Sequence, residues 1–182
     1  MGPDAALTAS EVVNDWPEER LAEVIRRLGE EPLARRIAHA IVVGRPYEST
    51  GRLAAVIAEA MPAARRRAGH PARRTFQAIR MTVNEELDAI AHGLDQAIEI
   101  LGPMGRIAAI SYHSLEDRIV KRRLVSGAAG CTCPPEMPVC GCGNSAELRI
   151  LTRRPIRATP EEVAANNRSR SATLRAAEKV AA

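Results

Sequence analysis

Gly105-Arg-Ile-Ala-Ala-Ile-Ser-Tyr-His-Ser-Leu-Glu-Asp-Arg-Ile-Val-Lys-Arg-Arg-Leu124 is the stretch whose reading decides the fold. Residues 107–110 are apolar with β-branched ends, too short for a helix of their own, and follow a Gly-Pro-Met-Gly turn at 102–105. Such a run predicts a buried strand. Ser114 with Asp117 three positions on predicts a capping box and a new helix, carrying Leu115, Ile119 and Leu124 among charges. Upstream, residues 84–101 form a long helical pattern. Helix, tight turn, buried strand, polar turn and helix in that order is α/β grammar. In open α/β sheets, ligands sit beyond the carboxyl ends of the strands. Here that end carries Ser111, Tyr112, His113 and Ser114.

Toward the N-terminus the pattern becomes purely helical. Thr8 and Glu11 predict a capping box for a short helix to about Asn14. Pro17 suits the first turn of a second helix, in which Leu21, Val24, Ile25 and Leu28 form an apolar stripe that Gly29 ends. A third helix starts at Pro32 with Leu33, Ile37, Ala40 and Ile41 on one face. A fourth, capped by Ser49 or Thr50, carries Leu53, Val56, Ile57 and Ala60. These four helices predict a small all-α unit over about residues 8–62. Residues 63–75 hold Arg65, Arg66, Arg67, His70, Arg73 and Arg74 and predict a basic hinge. From Phe76 a single helical pattern of about 25 residues runs through Ile79, Val83, Leu87, Ile90 and Leu94 to Leu101.

Beyond the central stretch comes a Gly- and Pro-rich segment, a candidate strand at 148–152, a helix start at Thr159-Pro160, a polar loop at 166–171 and a candidate closing strand at 172–178. Aromatic residues make up only 2% of the chain, so its core must be aliphatic, and stacking platforms for single-stranded nucleic acid have little to draw on. The net charge of +4 permits a nucleic-acid partner. No apolar run approaches the length of a membrane span, and Met1-Gly-Pro-Asp4 has no signal-peptide character. The expected compartment is the cytoplasm, with no membrane partner.

Three features bear on chemistry. Ser111, His113, Ser114 and Asp117 invite comparison with a catalytic triad, but triad partners converge from separate elements. A strand end running into a helix cap accounts for them more simply, and a polar rim lining a pocket is the reading we favour. Cys131-x-Cys133 and Cys140-x-Cys142 place two thiol pairs across a short Pro-rich connection. Four thiolates on a hairpin suit zinc, although the common structural spacing is Cys-x-x-Cys. Basic stretches recur near predicted turns at residues 65–67, 73–74, 121–123, 153–157 and 168–170, and Arg65, Arg66, Arg67, Arg73, Arg74, Arg80, Arg168 and Arg170 are the candidate phosphate contacts for RNA. The chain has neither a Gly-x-Gly-x-x-Gly between strand and helix nor a phosphate-binding Gly-x-x-x-x-Gly-Lys.

Four segments together carry a family likeness: His70-Pro-Ala-Arg-Arg-Thr-Phe-Gln-Ala-Ile-Arg80, Asn84-Glu-Glu-Leu87, the central 105–121 block, and Asn167-Arg-Ser-Arg-Ser-Ala-Thr-Leu-Arg175. The chain resembles the bacterial small-subunit (16S) ribosomal RNA cytosine N4-methyltransferases over essentially its whole length. That resemblance implies an enzyme that uses S-adenosylmethionine to methylate the exocyclic amine of a cytidine in 16S rRNA, on the small ribosomal subunit. It also implies an α/β fold class: the second half of a doubly wound methyltransferase fold, residues 73–182, with a small all-α insertion domain, residues 1–72, that meets RNA. Strand 5 of that sheet corresponds to residues 106–111. The Gly-rich cofactor loop, the ribose-binding acid and the Asp-bearing strand end of the family are absent, so no cofactor-binding residue transfers to this chain.

The expectation is therefore roughly the last three fifths of such an enzyme, inactive alone. The alternative is a stand-alone RNA-binding or adaptor module derived from the family. Ser111, His113 and Ser114 are the expected rim of the base pocket, with no assignable catalytic residue. A strand at 107–110 that lacks one neighbour predicts an open sheet edge, and through it a homodimer or aggregation.

Overall fold

The structure is a computed structural model that describes residues 7–67, 69–130, 133 and 141–181. The chain forms two compact units, Met1–Glu86 and Leu87–Ala182.

The first unit is all helical: α1 (Ala9–Asp15), α2 (Glu18–Leu28), α3 (Ala34–Val43), α4 (Thr50–Ala60), α5 (Ala63–Arg67) and α6 (Arg73–Val83). Thr8 caps α1 in a reciprocal capping box with Glu11, and the Ser49 hydroxyl accepts the Arg52 N–H at the start of α4. The predicted stripes meet inside: Leu21, Ile25, Ile37, Ile41 and Ile57 have no exposed surface. Each such side chain contributes about 1.5–3 kcal/mol of burial.

Two expectations change here. The basic stretch at 63–75 is not a hinge; it holds α5 and the start of α6, and Ala72, Phe76, Ile79 and Val83 pack into the core of this unit. The expected continuous helix from Phe76 is interrupted. Asn84 ends α6, and Glu85 adopts the left-handed conformation (φ 49°) before α7 begins. The compact division accordingly falls after Glu86, beyond residue 72, because α6 packs with the helices before it.

The second unit is mixed α and β: α7 (Glu86–Ile100), β1 (Arg106–Ser111), α8 (Ser114–Ala128), β2 (Leu148–Ile150), β3 (Ile156–Arg157), α9 (Pro160–Ala165), a 3-10 helix (Asn167–Ser171) and β4 (Thr173–Lys179). The expected polar loop at 166–171 is that 3-10 helix. β3 is too short to leave a periodic signal. β4 lies at the centre, pairing antiparallel with β1, β2 and β3. β1 is an edge among the described strands. On one face Ile107, Ala109 and Ala177 pack with Leu94 and Ile98 of α7, Val120 and Leu124 of α8, and Leu148. On the other, the registered row of Ile110, Leu174 and Ile156 leaves Ile110 58% and Ile156 56% exposed. A buried carboxylate crosses the sheet: Glu178 accepts from Arg106 on β1 (2.9 Å) and Arg149 on β2 (2.5 Å). These two guanidiniums hold its pKa below the usual carboxylate value.

Candidate nucleic-acid interface

The turn after β1 is fixed by one carboxylate. Glu116 Oε2 accepts the backbone N–H of Tyr112 (2.8 Å) and of His113 (3.3 Å). His113, not Ser114, is the N-cap of α8, and its Nδ1 accepts the Glu116 N–H at 3.4 Å. The capping box therefore sits one residue earlier than the Ser114–Asp117 spacing predicts. His113 Nε2 lies 3.0 Å from Glu116 Oε1 but is poorly aligned for a hydrogen bond.

Released from capping, Asp117 faces β4. It accepts two hydrogen bonds from Arg175, at 2.7 and 2.9 Å. The hydrogen bonds from Arg175 outweigh partial burial and hold the Asp117 carboxyl below its ordinary pKa. This pair forms part of the lining of a cleft of 490 Å³ at the carboxyl end of β1. One wall is a face of α8, where Ser114, Asp117, Arg118 and Lys121 follow helical spacing. Arg157 of β3 and Arg170 and Ser171 of the 3-10 helix also line the cleft, with Tyr112 and His113 at the turn. The lining carries one carboxylate, and Arg175 already neutralises it, so the remaining field is cationic.

The expected rim is thus partly assembled. His113 and Ser114 line the cleft, whereas Ser111 is buried and its hydroxyl lies 3.1 Å from that of Thr173. Of the two C-terminal arginines, Arg170 lines the cleft and Arg168 does not. Lys121 and Arg157 belong to basic stretches already marked in the sequence; that they meet at one cleft, and that Arg175 joins them, escaped the sequence reading, because nothing local in the sequence brings β3 and β4 to this end of α8.

In the first unit, the expected basic residues divide by their partners. Buried Glu31 is met by Arg65 (3.2 Å) and Arg74 (3.6 Å), and Arg74 also donates to the Glu30 carbonyl. Arg80 is bidentate to Glu86 at 2.8 and 2.9 Å. Arg65, Arg73, Arg74 and His70 line a second pocket, of 420 Å³, and Arg66 is exposed. The Arg67 side chain lies outside the described residues. So do Cys131 and Cys140, half of the expected zinc set. Among the described residues no three His, Cys, Asp or Glu are grouped to hold a metal. No described helix is long and apolar enough to cross a membrane.

Comparison with known proteins decides the family. The sequence matches the MraW methylase family over residues 1–180. This chain belongs to that family. Among its relatives is the ribosomal RNA small subunit methyltransferase H of Symbiobacterium thermophilum, 56% identical over 180 residues, covering 97% of this chain and 57% of the relative. The protein of the same name from Heliobacterium modesticaldum is 52% identical over 184 residues, covering 99% of this chain and 59% of the relative. That from Nitratidesulfovibrio vulgaris is 51% identical, covering 99% and 57%. This MraW-family chain therefore spans somewhat more than half the length of the curated relatives it matches.

Methylases of this kind imply S-adenosylmethionine, whose sulfonium is positively charged. The residues present do not fit it. The cleft at the end of β1 is cationic, its one carboxylate is taken by Arg175, and no Gly-rich loop joins a strand to a helix in this sequence.

Proposed function

We propose that this chain forms the RNA-facing part of a methyltransferase that modifies small-subunit ribosomal RNA. In this reading a methyl group passes from S-adenosylmethionine to the exocyclic N4 amine of a cytidine in 16S rRNA. The observation that carries it is the cationic cleft at the carboxyl end of β1, in a chain that matches the MraW methylase family from end to end. A strand's carboxyl end is where α/β folds place their ligands, and surplus Arg and Lys there suit a polyanion. In this reading the cofactor side lies in the part of the relatives outside the matched region, so residues 1–182 by themselves are expected to be inactive. His113 and Ser114 supply the polar rim, and the helical first unit, with Arg66 and Arg73, adds sequence-independent phosphate contacts. The open edge of β1 gives the isolated chain a route to self-association.

The test is a chimaera that joins the part of the Symbiobacterium thermophilum relative preceding the matched region to this chain. It is expressed in cells lacking the endogenous activity, and small-subunit RNA is analysed by mass spectrometry. N4-methylcytidine is expected with the chimaera and not with the chain alone. Saturable S-adenosylmethionine binding by the chain alone, or no methylation by a folded chimaera, overturns the proposal. RNA binding that persists while the chimaera stays inactive favours the adaptor reading.

A further inference from the structure

The geometry points to the cleft as a subsite for a single-stranded nucleotide, its base stacked on Tyr112 and its flanking phosphates held by Lys121, Arg157 and Arg170. This rests on the reading of the substrate as RNA and names what the cleft selects within it: a phosphodiester strand, not a free nucleoside and not a duplex. Three observations meet here. First, Lys121 of α8, Arg157 of β3 and Arg170 of the 3-10 helix all line the space, so cations from three elements border it. The charged and titratable groups facing it are Tyr112 and His113 of the turn, Asp117, Arg118 and Lys121 of α8, Arg157 of β3, Arg170 of the 3-10 helix and Arg175 of β4. Asp117 and Arg175 cancel each other, which leaves net positive charge for an anion.

Second, the chain has one Trp, two Tyr and one Phe. Trp16 and Tyr47 are buried and Phe76 packs against the helical core, whereas Tyr112 is 56% exposed at the cleft. An exposed ring beside cations is how single-stranded nucleic acid is commonly held, by stacking together with phosphate contact. The low aromatic content argues against a row of platforms, and a single ring suits a single base. Third, the volume of 490 Å³ lies within the range of about 300–1,000 Å³ of small-ligand pockets. It admits a nucleotide drawn out of its stack, which a single strand presents and an intact duplex does not. The Glu116 carboxylate, by binding the Tyr112 and His113 N–H groups, holds the turn that carries the ring.

The probes are a fluorescein-labelled pentacytidylate RNA, the same pentamer with neutral methylphosphonate linkages, and a duplex of the same length, each titrated by anisotropy against the full chain at several salt concentrations. The charged single strand is expected to bind at least about ten-fold more tightly than either of the others. Arg157→Gln with Arg170→Gln should weaken binding about ten-fold and reduce the salt slope by about 1.4, at about 0.7 per single-strand phosphate contact. Tyr112→Ala should weaken it about five-fold or more without changing the slope, and Tyr112→Phe should retain it. These side chains are exposed, and circular dichroism checks that each variant is folded. Equal binding of the neutral pentamer, no binding of the charged one, or cleft variants that bind like the parent overturn the inference. If binding falls only with Arg66→Gln and Arg73→Gln, the cleft assignment fails while the RNA-facing reading stands. Loss at the cleft beside an inactive chimaera sustains this inference and sinks the methyltransferase reading.

Discussion

Asp117 shows how a single residue acquires its role from a partner far away in sequence. Its spacing from Ser114 looks like a helix cap, but Glu116 takes that task and Asp117 pairs with Arg175. The pairing has a pH signature. The carboxyl's pKa is lowered in the folded chain, so below about pH 4, the ordinary carboxylate value, the unfolded chain binds the additional proton. The stability from this pair is therefore fully present above that pH and is lost as pH falls through the depressed value. Asp117→Asn should cost about 2 kcal/mol at pH 7, the scale of hydrogen bonds to charged groups. It should also flatten the fall of stability with acid below about pH 4. Urea unfolding across that range checks both, and an unchanged acid limb would assign the acid sensitivity elsewhere.

Among the elements, legibility followed local chemistry. α1 to α4 could be read because caps and apolar stripes are properties of neighbouring residues. α6 was read as helical from Phe76, but its membership of the first unit was not legible, because Phe76, Ile79 and Val83 continue in spacing into α7 and only packing shows that they join the helical core. The break before α7 was signalled only by Asn84, a common helix terminator, since the apolar spacing runs straight through it. β1 was legible as a strand, but its partners were not: β3 is two residues long and exists by pairing with β4. For the same reason Tyr112, His113, Ser114 and Asp117, which adjoin β1 in sequence, were foreseen at the cleft, whereas Lys121, Arg157 and Arg170 were anticipated as basic residues alone. Helix packing in the first unit also depends on one close approach. A Cβ at Gly29 would lie 2.6 Å from the backbone oxygens of Arg74 and Ile25. Neither is a flexible side-chain end, so Gly29→Ala must displace α6 from α2 and should destabilise this unit by about 1–3 kcal/mol. A thermal melt of the variant measures this, and an unchanged midpoint would mean that α6 adjusts freely.

At the scale of the molecule, one side of the sheet is unfinished. β1 pairs only with β4 among the described residues, and Ile110, Tyr112 and Ile156 stay exposed. Unpaired strand groups beside apolar side chains invite pairing with another chain. The isolated chain should self-associate as concentration rises, with β1 amides exchanging faster at low concentration than those of the inner strand β4. Light scattering with hydrogen exchange tests this, and a monomer at all concentrations with uniformly protected β1 amides would count against it.

The central place of β4 also sets a timetable. β1, β2 and β3 are all made before the strand that joins them, and none pairs with another without it. While the chain is being synthesised, the helical unit can close as soon as Val83 has left the ribosome, because among the described residues its core is drawn from residues 7–83. The sheet must wait until residues 173–179 emerge, with β1 and its isoleucines held open meanwhile. Nascent chains arrested before and after β4 should differ sharply in protease resistance across residues 87–150 and hardly at all across 9–83. The interval between those two lengths is when the chain is most exposed to chaperones and to misfolding.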